Sequence, residues 1–326
     1  MFSALMLYQE SKTTVAHVAQ IDESQLPDGD TLVAVDYSSI NYKDGLAITG
    51  KGRIIRDFPM IPGIDFAGRI IETSSDAYNV GDSVVLTGWG VGETRGGGLA
   101  EKARLDANLL VPLPEGLSAS QSMIIGTAGL AAMLCVDALI ESGIKPESGK
   151  ILVTGASGGV GSTAITLLHA LGYDVTACSG RIAQNTAHLT QLGATELIER
   201  SELEEAAKPL EKQRWAGVID TVGDKVLAKA IAQTHYNGVV ACCGLAGGFG
   251  LPTTVMPFIL RNVRLQGIDS VMCPIEKRTT AWKQLTELLP QSFYEQASET
   301  IELKQVPEYA DRITKGDVTG RVIVKL

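Results

Sequence analysis

The sequence predicts an α/β protein with a doubly wound parallel sheet and a second, smaller β-rich barrel. Three observations carry this. Ile151–Thr154 is a short apolar run closed by Gly155-Ala156-Ser157-Gly158-Gly159-Val160-Gly161, and a helical pattern follows over 162–171. Beyond it, short apolar runs alternate with helical segments, the rhythm of successive βαβ units. Before it, residues 1–115 read as short strands parted by turns such as Pro27-Asp28-Gly29-Asp30 and Val80-Gly81-Asp82, the pattern of a small barrel.

The central stretch is an anion site in prospect. Gly155, Gly158 and Gly161 fall in a G-x-x-G-x-x-G frame between strand and helix. Glycine lets the backbone approach a pyrophosphate, and the free N–H groups of a helix's first turn point at it. Ser157, Gly158, Gly159 and Val160 are therefore the expected phosphate contacts. A second apolar run over 173–177 ends in Cys178-Ser179-Gly180-Arg181, about 20 residues past the glycines, where a dinucleotide fold reads the adenosine ribose. A preference for NAD calls for Asp or Glu there, to accept from the ribose hydroxyls. This chain offers Ser179 and Arg181 instead, and a guanidinium matches a phosphate. The expected cofactor is NADPH. The competing reading makes Arg181 a solvated loop residue.

The composition bounds the rest. With 326 residues the chain has room for two domains, each with its own core. Hydrophobic residues make up 45% and charged residues 20%, and the net charge of −9 argues against general nucleic-acid binding. Cys135, Cys178, Cys242, Cys243 and Cys273 show no zinc spacing, and their odd count suggests buried thiols in a reducing, cytoplasmic setting. Residues 1–8 are apolar without a basic leader and read as a strand. Residues 116–136 carry no charge, but serines and glycines interrupt them, which favours a buried helix over a membrane span.

Strands are expected over 31–35, 66–71 and 83–86, followed by a glycine-rich loop over 88–98 that holds Trp89, Glu93 and Arg95. Later strands are expected near 196–198, 218–222, 238–244, 264–271 and 321–325, and helices near 183–192, 201–212, 225–233 and 282–289. The terminal strand suggests that the chain returns to its first domain. The expected boundaries are 1–122 with 294–326 for the barrel domain and 123–293 for the nucleotide domain.

Several pieces resemble the medium-chain dehydrogenases/reductases, in their order: Ser39-Ile40-Asn41-Tyr42-Lys43-Asp44, Pro62 to Gly68, Gly81-Asp82-Ser83-Val84, Gly155 to Gly161 and Gly320-Arg321-Val322. Within that superfamily they are similar to the quinone-oxidoreductase-like branch. The stretches 87–93, 154–162, 220–227 and 251–258 are similar to bacterial acryloyl-CoA reductases. The resemblance implies a GroES-like barrel completed by the C-terminus, an inserted Rossmann domain, an active site in the cleft between them, NADPH and a homodimer. Zinc-dependent relatives carry a Cys ligand near Tyr42 and a Gly-His-Glu element near Asp65. This sequence has neither, so no metal site is expected, and hydride addition to an activated C=C bond or a quinone replaces zinc-assisted alcohol oxidation.

For a 2-enoyl-CoA, hydride reaches the β-carbon and negative charge develops on the thioester oxygen, so a donor is needed there. Tyr42, Asn41 and Arg321 are the catalytic candidates. Tyr42 could alternatively contact the nicotinamide, Asn41 could be a turn residue, and Arg321 a surface ion pair. Strand ends nominate Ser179, Gly180, Arg181, Thr221, Val222, Gly244, Leu245, Ile268, Asp269 and Ser270 for the cofactor, and the resemblance adds Thr127. Two basic groups, Lys51/Arg53/Arg56 and Arg261/Arg264, are candidates for the CoA phosphates. An NADPH:quinone oxidoreductase and a non-catalytic NADPH-binding sensor are the alternatives.

Overall fold

The computed structural model describes residues 1–296 and 298–326. In chain order the elements are β1 (Phe2–Glu10), β2 (Thr13–Ile21), β3 (Thr31–Ile40), α1 (Tyr42–Thr49), β4 (Asp65–Thr73), β5 (Ser83–Thr87), β6 (Lys102–Leu105), β7 (Val111–Pro112) and α2 (Ala119–Glu141). Then come β8 (Ile151–Thr154), α3 (Gly159–Ala170), β9 (Val175–Ser179), α4 (Ile182–Gln191), β10 (Glu196–Glu199), α5 (Ser201–Glu204), β11 (Trp215–Asp220), α6 (Asp224–Ala232), β12 (Thr234–Cys242), α7 (Met256–Arg261) and β13 (Arg264–Gly267). The chain closes with α8 (Ile275–Leu288), α9 (Gln291–Gln296), β14 (Ser298–Glu302), α10 (Val306–Thr314) and β15 (Arg321–Lys325).

Two compact units result. One holds Met1–Thr127, Val271–Thr286 and Tyr294–Leu326; the other holds Ala128–Ser270 and Glu287–Phe293. In the first unit a seven-stranded sheet runs in the order β14-β15-β3-β4-β5-β7, with β6 beside β3. Ten-residue β3 makes this possible. Its first half pairs with β6 and its second half with β15, so the returning C-terminus continues the edge that β6 leaves. Alternating apolar residues of these strands, Val33, Val35, Phe66, Ile70, Val84 and Leu86, form one core cluster. Helix α1, absent from the sequence expectations, packs against α10 so closely that a Cβ on Gly45 would lie 2.5 Å from Ile313 Cγ2.

In the second unit six parallel strands run β10-β9-β8-β11-β12-β13. The order steps outward on both sides of β8, the doubly wound arrangement, and places the ends of β8, β9, β11 and β12 where a nucleotide would lie. Strands β8 and β11 are buried on both faces, which explains their apolar runs up to Val153 and Ile219, before the polar Thr154 and Asp220 at their ends.

Four expectations are corrected. The helix expected over 201–212 stops at Glu204. Pro209 lacks an N–H and turns its predecessor away from helical backbone, and Glu211 caps the loop by accepting from the Lys208 N–H at 3.0 Å. Strand β13 stops at Gly267 rather than 271. Helix α8 begins at Ile275, seven residues before the expected 282. Its Arg278 is fully buried, donating to Thr87 O at 2.6 Å, Thr87 Oγ1 at 2.8 Å and Val271 O at 3.1 Å, with Cζ 4.7 Å from the Trp89 ring centroid. These bonds draw 271–286 into the first unit, although the sequence boundary gave it to the nucleotide domain. Helix α2, 23 residues long and apolar enough to span a membrane, has 83% of its most apolar window buried.

Candidate active site

The phosphate-binding turn is shaped by what its glycines exclude. Gly155 has φ +60, and a Cβ there would collide with Thr221 Oγ1; a Cβ on Gly161 would collide with the Gly155 carbonyl. Gly158 caps α3 and meets only the Gly155 carbonyl, at 3.3 Å from a would-be Cβ. The first-turn N–H groups of α3 at Gly159, Val160 and Gly161 have no i−4 partner inside the helix, an arrangement suited to an anion. Thr221 secures the turn from β11: its hydroxyl donates to Thr154 O at 3.0 Å, while its N–H donates to Thr154 Oγ1 at 3.1 Å. Buried Asp220 accepts from Thr154 Oγ1 at 2.7 Å and from the Gly223 N–H at 2.8 Å, and burial raises its carboxyl above the ordinary value.

At the end of β9, Ser179 Oγ lies 3.1 Å from Ser157 Oγ and accepts from the Arg181 N–H at 3.2 Å. The two nucleotide-facing turns are thus tied together. A residue the sequence reading passed over completes this corner. Arg200 follows β10, the neighbour of β9, and donates its backbone N–H to Ser179 O at 3.0 Å, while its Nε donates to Glu204 Oε1 at 2.7 Å. Its guanidinium lies where a side chain on Gly180 would be, with Cζ 3.0 Å from the would-be Cβ. Gly180 is what leaves room for the Arg200 guanidinium beside Arg181. The signal was available: in a doubly wound sheet the strand after the ribose strand lies beside it, so a cation just past its end is a neighbour.

The remaining cofactor candidates sit on the ends of β11, β12 and β13. Val222 O accepts from the Gly247 N–H at 2.8 Å, and a Cβ on Gly244 would collide with Thr221 O, so the loops holding Val222, Gly244 and Leu245 are in contact. Ile268 donates its N–H to Cys242 O at 2.9 Å, and Asp269 and Ser270 follow it out of the sheet.

The first unit gathers Asn41, Thr127 and Arg321 around Asp65, which is completely buried. Asp65 Oδ2 accepts from Ser39 Oγ at 2.7 Å, Asn41 Nδ2 at 2.7 Å and the Thr127 N–H at 2.9 Å, and Oδ1 accepts from the Thr127 hydroxyl. Arg321 is 3% exposed. Its Nε donates to Ile124 O at 3.0 Å, Nη1 to Asn41 Oδ1 at 3.0 Å, and Nη2 to Ser39 Oγ at 2.9 Å and Met123 O at 3.4 Å. Gly126 breaks α2 with φ 51 and ψ −160 at this point, and a Cβ on it would lie 2.6 Å from both Arg321 Nη2 and Asp65 Oδ2. The expectation that Arg321 and Asn41 offer donors to substrate is therefore revised. Arg321 makes four hydrogen bonds to buried protein acceptors and the Asn41 amide two; Arg321 is buried rather than a surface ion pair, and Asn41 caps α1. They hold the broken helix so that Thr127 is fixed.

Tyr42 differs. It opens α1 directly after Asn41, it is half-buried, and among the described residues its hydroxyl has no hydrogen-bond partner. Asp44, two residues on, accepts from the Asn41 N–H at 2.8 Å and the Ile64 N–H at 3.0 Å. Burial, with the charge of Asp65 second, pushes the Asp44 carboxyl up to about 7. The loop over 88–98 comes to this helix: Glu93 Oε1 accepts from Lys43 Nζ at 2.8 Å.

Over 323 residues, 99% of both chains, the sequence is 58% identical to the "Probable acrylyl-CoA reductase AcuI" of Escherichia coli (strain K12). The chain belongs to the medium-chain dehydrogenase/reductase superfamily. Residues 27–115 match the family described as alcohol dehydrogenase GroES-like domain, and 159–290 match the zinc-binding dehydrogenase family. The superfamily member of Ruegeria pomeroyi named acrylyl-CoA reductase AcuI is 49% identical over 327 residues, 99% of each chain. The yhdH oxidoreductase from Salmonella enterica, solved in complex with NADP, superposes with a TM-score of 0.98 at 59% identity and 99% coverage of both chains. The relation places the protein in the zinc-independent, quinone-oxidoreductase-like branch, and among the described residues no three His, Cys, Asp or Glu side chains gather as metal ligands.

Proposed function

We propose that the protein reduces the C=C bond of a short 2-enoyl-CoA, acryloyl-CoA to propanoyl-CoA, with NADPH. The observation that carries this reading is the full-length likeness to chains named acrylyl-CoA reductase. The Salmonella enterica structure in complex with NADP supports the cofactor. So does this chain's own second unit, whose glycine turn leaves no room for a Cβ at Gly155 or Gly161 and whose ribose strand ends in Ser179-Gly180-Arg181, with no acid at the strand end.

NADPH, when bound, supplies the hydride that adds to the substrate β-carbon. The chain does the rest. The α3 N–H groups bind the pyrophosphate, and Ser157 and Ser179 hold the ribose side. Arg181 and Arg200 hold the 2′-phosphate through charge-assisted bonds. Thr127 is held in place by Asp65. As charge grows on the thioester oxygen, the unspent hydroxyl of Tyr42 donates to it, and Tyr42 or a water then returns a proton to the α-carbon.

The active species in this reading is a homodimer built through the second unit. Strand β13 is an edge of the parallel sheet, and Phe249, Val255, Ile259 and Leu260 nearby in sequence are 95%, 65%, 70% and 54% exposed. An open sheet edge beside exposed apolar side chains is a self-association surface.

Nicotinamide absorbance decay with acryloyl-CoA, crotonyl-CoA and a simple quinone, each with NADPH and NADH, tests the function. Fast oxidation of NADPH by acryloyl-CoA is the expected result. Turnover confined to the quinone would make the protein an NADPH:quinone oxidoreductase, and tight NADPH binding without turnover would make it a sensor.

A further inference from the structure

We infer that Arg53 and Arg56 anchor the phosphates of the CoA moiety and so set the preference for a CoA thioester over a small acceptor; this rests on the enoyl-CoA reading above. Many cations of the first unit are already engaged. Lys43, Lys51, Arg95, Lys102, Arg104 and Lys315 each lie within 4 Å of a carboxylate. Lys51, the third member of its sequence cluster, is committed to Asp311 at 2.9 Å and Thr314 Oγ1 at 2.8 Å. The second basic cluster is committed too. Arg261 donates to Ala232 O at 2.8 Å and Glu211 O at 2.6 Å, and Arg264 to Ser142 O at 2.8 Å. Arg53 and Arg56 are not engaged in this way: both are exposed, and among the described residues neither forms an ion pair or a side-chain hydrogen bond. In a chain of net charge −9, these are two unneutralised guanidinium groups only three residues apart.

The loop that carries them folds back along α1 instead of leaving it. The Gly52 N–H donates to Leu46 O at 3.2 Å, a Cβ on Gly52 would lie 3.0 Å from Leu46 Cβ, and the Ile54 N–H closes on Gly52 O at 2.9 Å. Leu46 stands four residues after Tyr42, hence one turn along the same helix face. Between the two arginines Ile55 is buried in the core cluster with Leu5, Leu7, Ile40 and Val306, and Met60 pairs with Leu7 through backbone bonds of 2.8 and 3.0 Å. The loop is therefore anchored at both ends and in its middle. Little ordering entropy is left for a ligand to overcome, and the loop that carries the two cations starts beside the helix that Tyr42 opens.

CoA joins a reactive thioester to a pyrophosphate and a 3′-phosphate through a flexible arm. Guanidinium pairs suit such phosphates by bidentate, charge-assisted bonding. A quinone or a truncated thioester has nothing for them to hold.

The test compares Arg53→Ala/Arg56→Ala with wild type on acryloyl-CoA and on the acryloyl thioester of N-acetylcysteamine. Both positions are exposed, so the variant retains the fold. The expected result is a KM for acryloyl-CoA raised at least tenfold with kcat within twofold, and unchanged KM values for NADPH and for the truncated thioester. Arg53→Lys/Arg56→Lys should recover part of the loss. An unchanged KM for acryloyl-CoA overturns the inference and leaves the enoyl-CoA reading standing, as does an equal rise for both thioesters. Failure of the wild-type protein to reduce acryloyl-CoA overturns the reading itself, before any variant is measured.

Discussion

Asp65 holds Thr127 twice, accepting the backbone N–H on one carboxylate oxygen at 2.9 Å and the hydroxyl on the other. The same carboxylate faces Arg321, 3.8 Å away. One buried side chain thus sets the helix break at Gly126 and the residue expected against the nicotinamide. Asp65→Asn keeps the shape but leaves Arg321 without its buried counter-charge, and removal of one partner from such a pair costs about 3–5 kcal/mol. The variant should unfold at clearly lower urea concentration, and its kcat should fall more than tenfold even where it is folded. A variant as stable and as active as wild type would contradict the positioning role.

Asp44 makes stability depend on pH. Its carboxyl is pushed from 3.8 to about 7 in the folded protein, so between those values the folded state binds more protons than the unfolded state. Stability is then fully present below pH about 4, is lost as pH rises through the window, and is flat above about 7, with a total on the order of a few kcal/mol. Urea unfolding between pH 5 and 8 should show this decline, and Asp44→Asn should flatten it.

Much of this molecule was legible in the sequence, and the parts that were not have common causes. The strand–turn–helix at 151–171 was readable because glycine spacing and apolar periodicity agree there. The ends of β8, β9 and β11 followed from strand topology. Tyr42 and Arg321 were named from a resemblance, but only coordinates separate a hydroxyl without a partner from a guanidinium with four hydrogen bonds. Arg200 was missed because its role depends on strand adjacency rather than on sequence proximity to Gly180. Helix α1 was missed because an eight-residue helix with a glycine in it has weak periodicity, and its stability comes from packing on α10.

Cofactor choice should reside in two guanidinium groups. A hydrogen bond to a charged group contributes about 1.5–3 kcal/mol, roughly 10- to 100-fold in affinity. Arg200→Ala should weaken NADPH binding by that factor and leave NADH binding nearly unchanged, and Arg181→Ala should do the same. Titration of nicotinamide fluorescence measures both. Equal loss for the two cofactors would indicate a structural defect instead.

Gly161→Ala tests the phosphate turn. Its Cβ would collide with the Gly155 carbonyl and approach Ala156 Cα to 2.7 Å, both backbone atoms that cannot rotate away. Overpacking of this kind costs about 1–3 kcal/mol. NADPH affinity should drop at least tenfold because the α3 N–H groups move off the pyrophosphate. Calorimetric titration reads the change.

Association through the β13 edge is separable from the chemistry. Ile259→Asp places a charge on the exposed apolar surface of α7, where Ile259 is 70% exposed. Sedimentation should show the wild type as a dimer and the variant shifted toward monomer, with NADPH affinity within a few-fold of wild type. A wild-type monomer would remove the dimer from the account.

The central claim is hydride addition to the β-carbon of an enoyl thioester. The most direct measurement is product analysis after turnover of acryloyl-CoA with NADPH carrying deuterium at the transferred position. The account predicts propanoyl-CoA with one deuterium, bonded to C3, and none at C2. Deuterium at C2, or no propanoyl-CoA while a quinone is reduced under the same conditions, would contradict it.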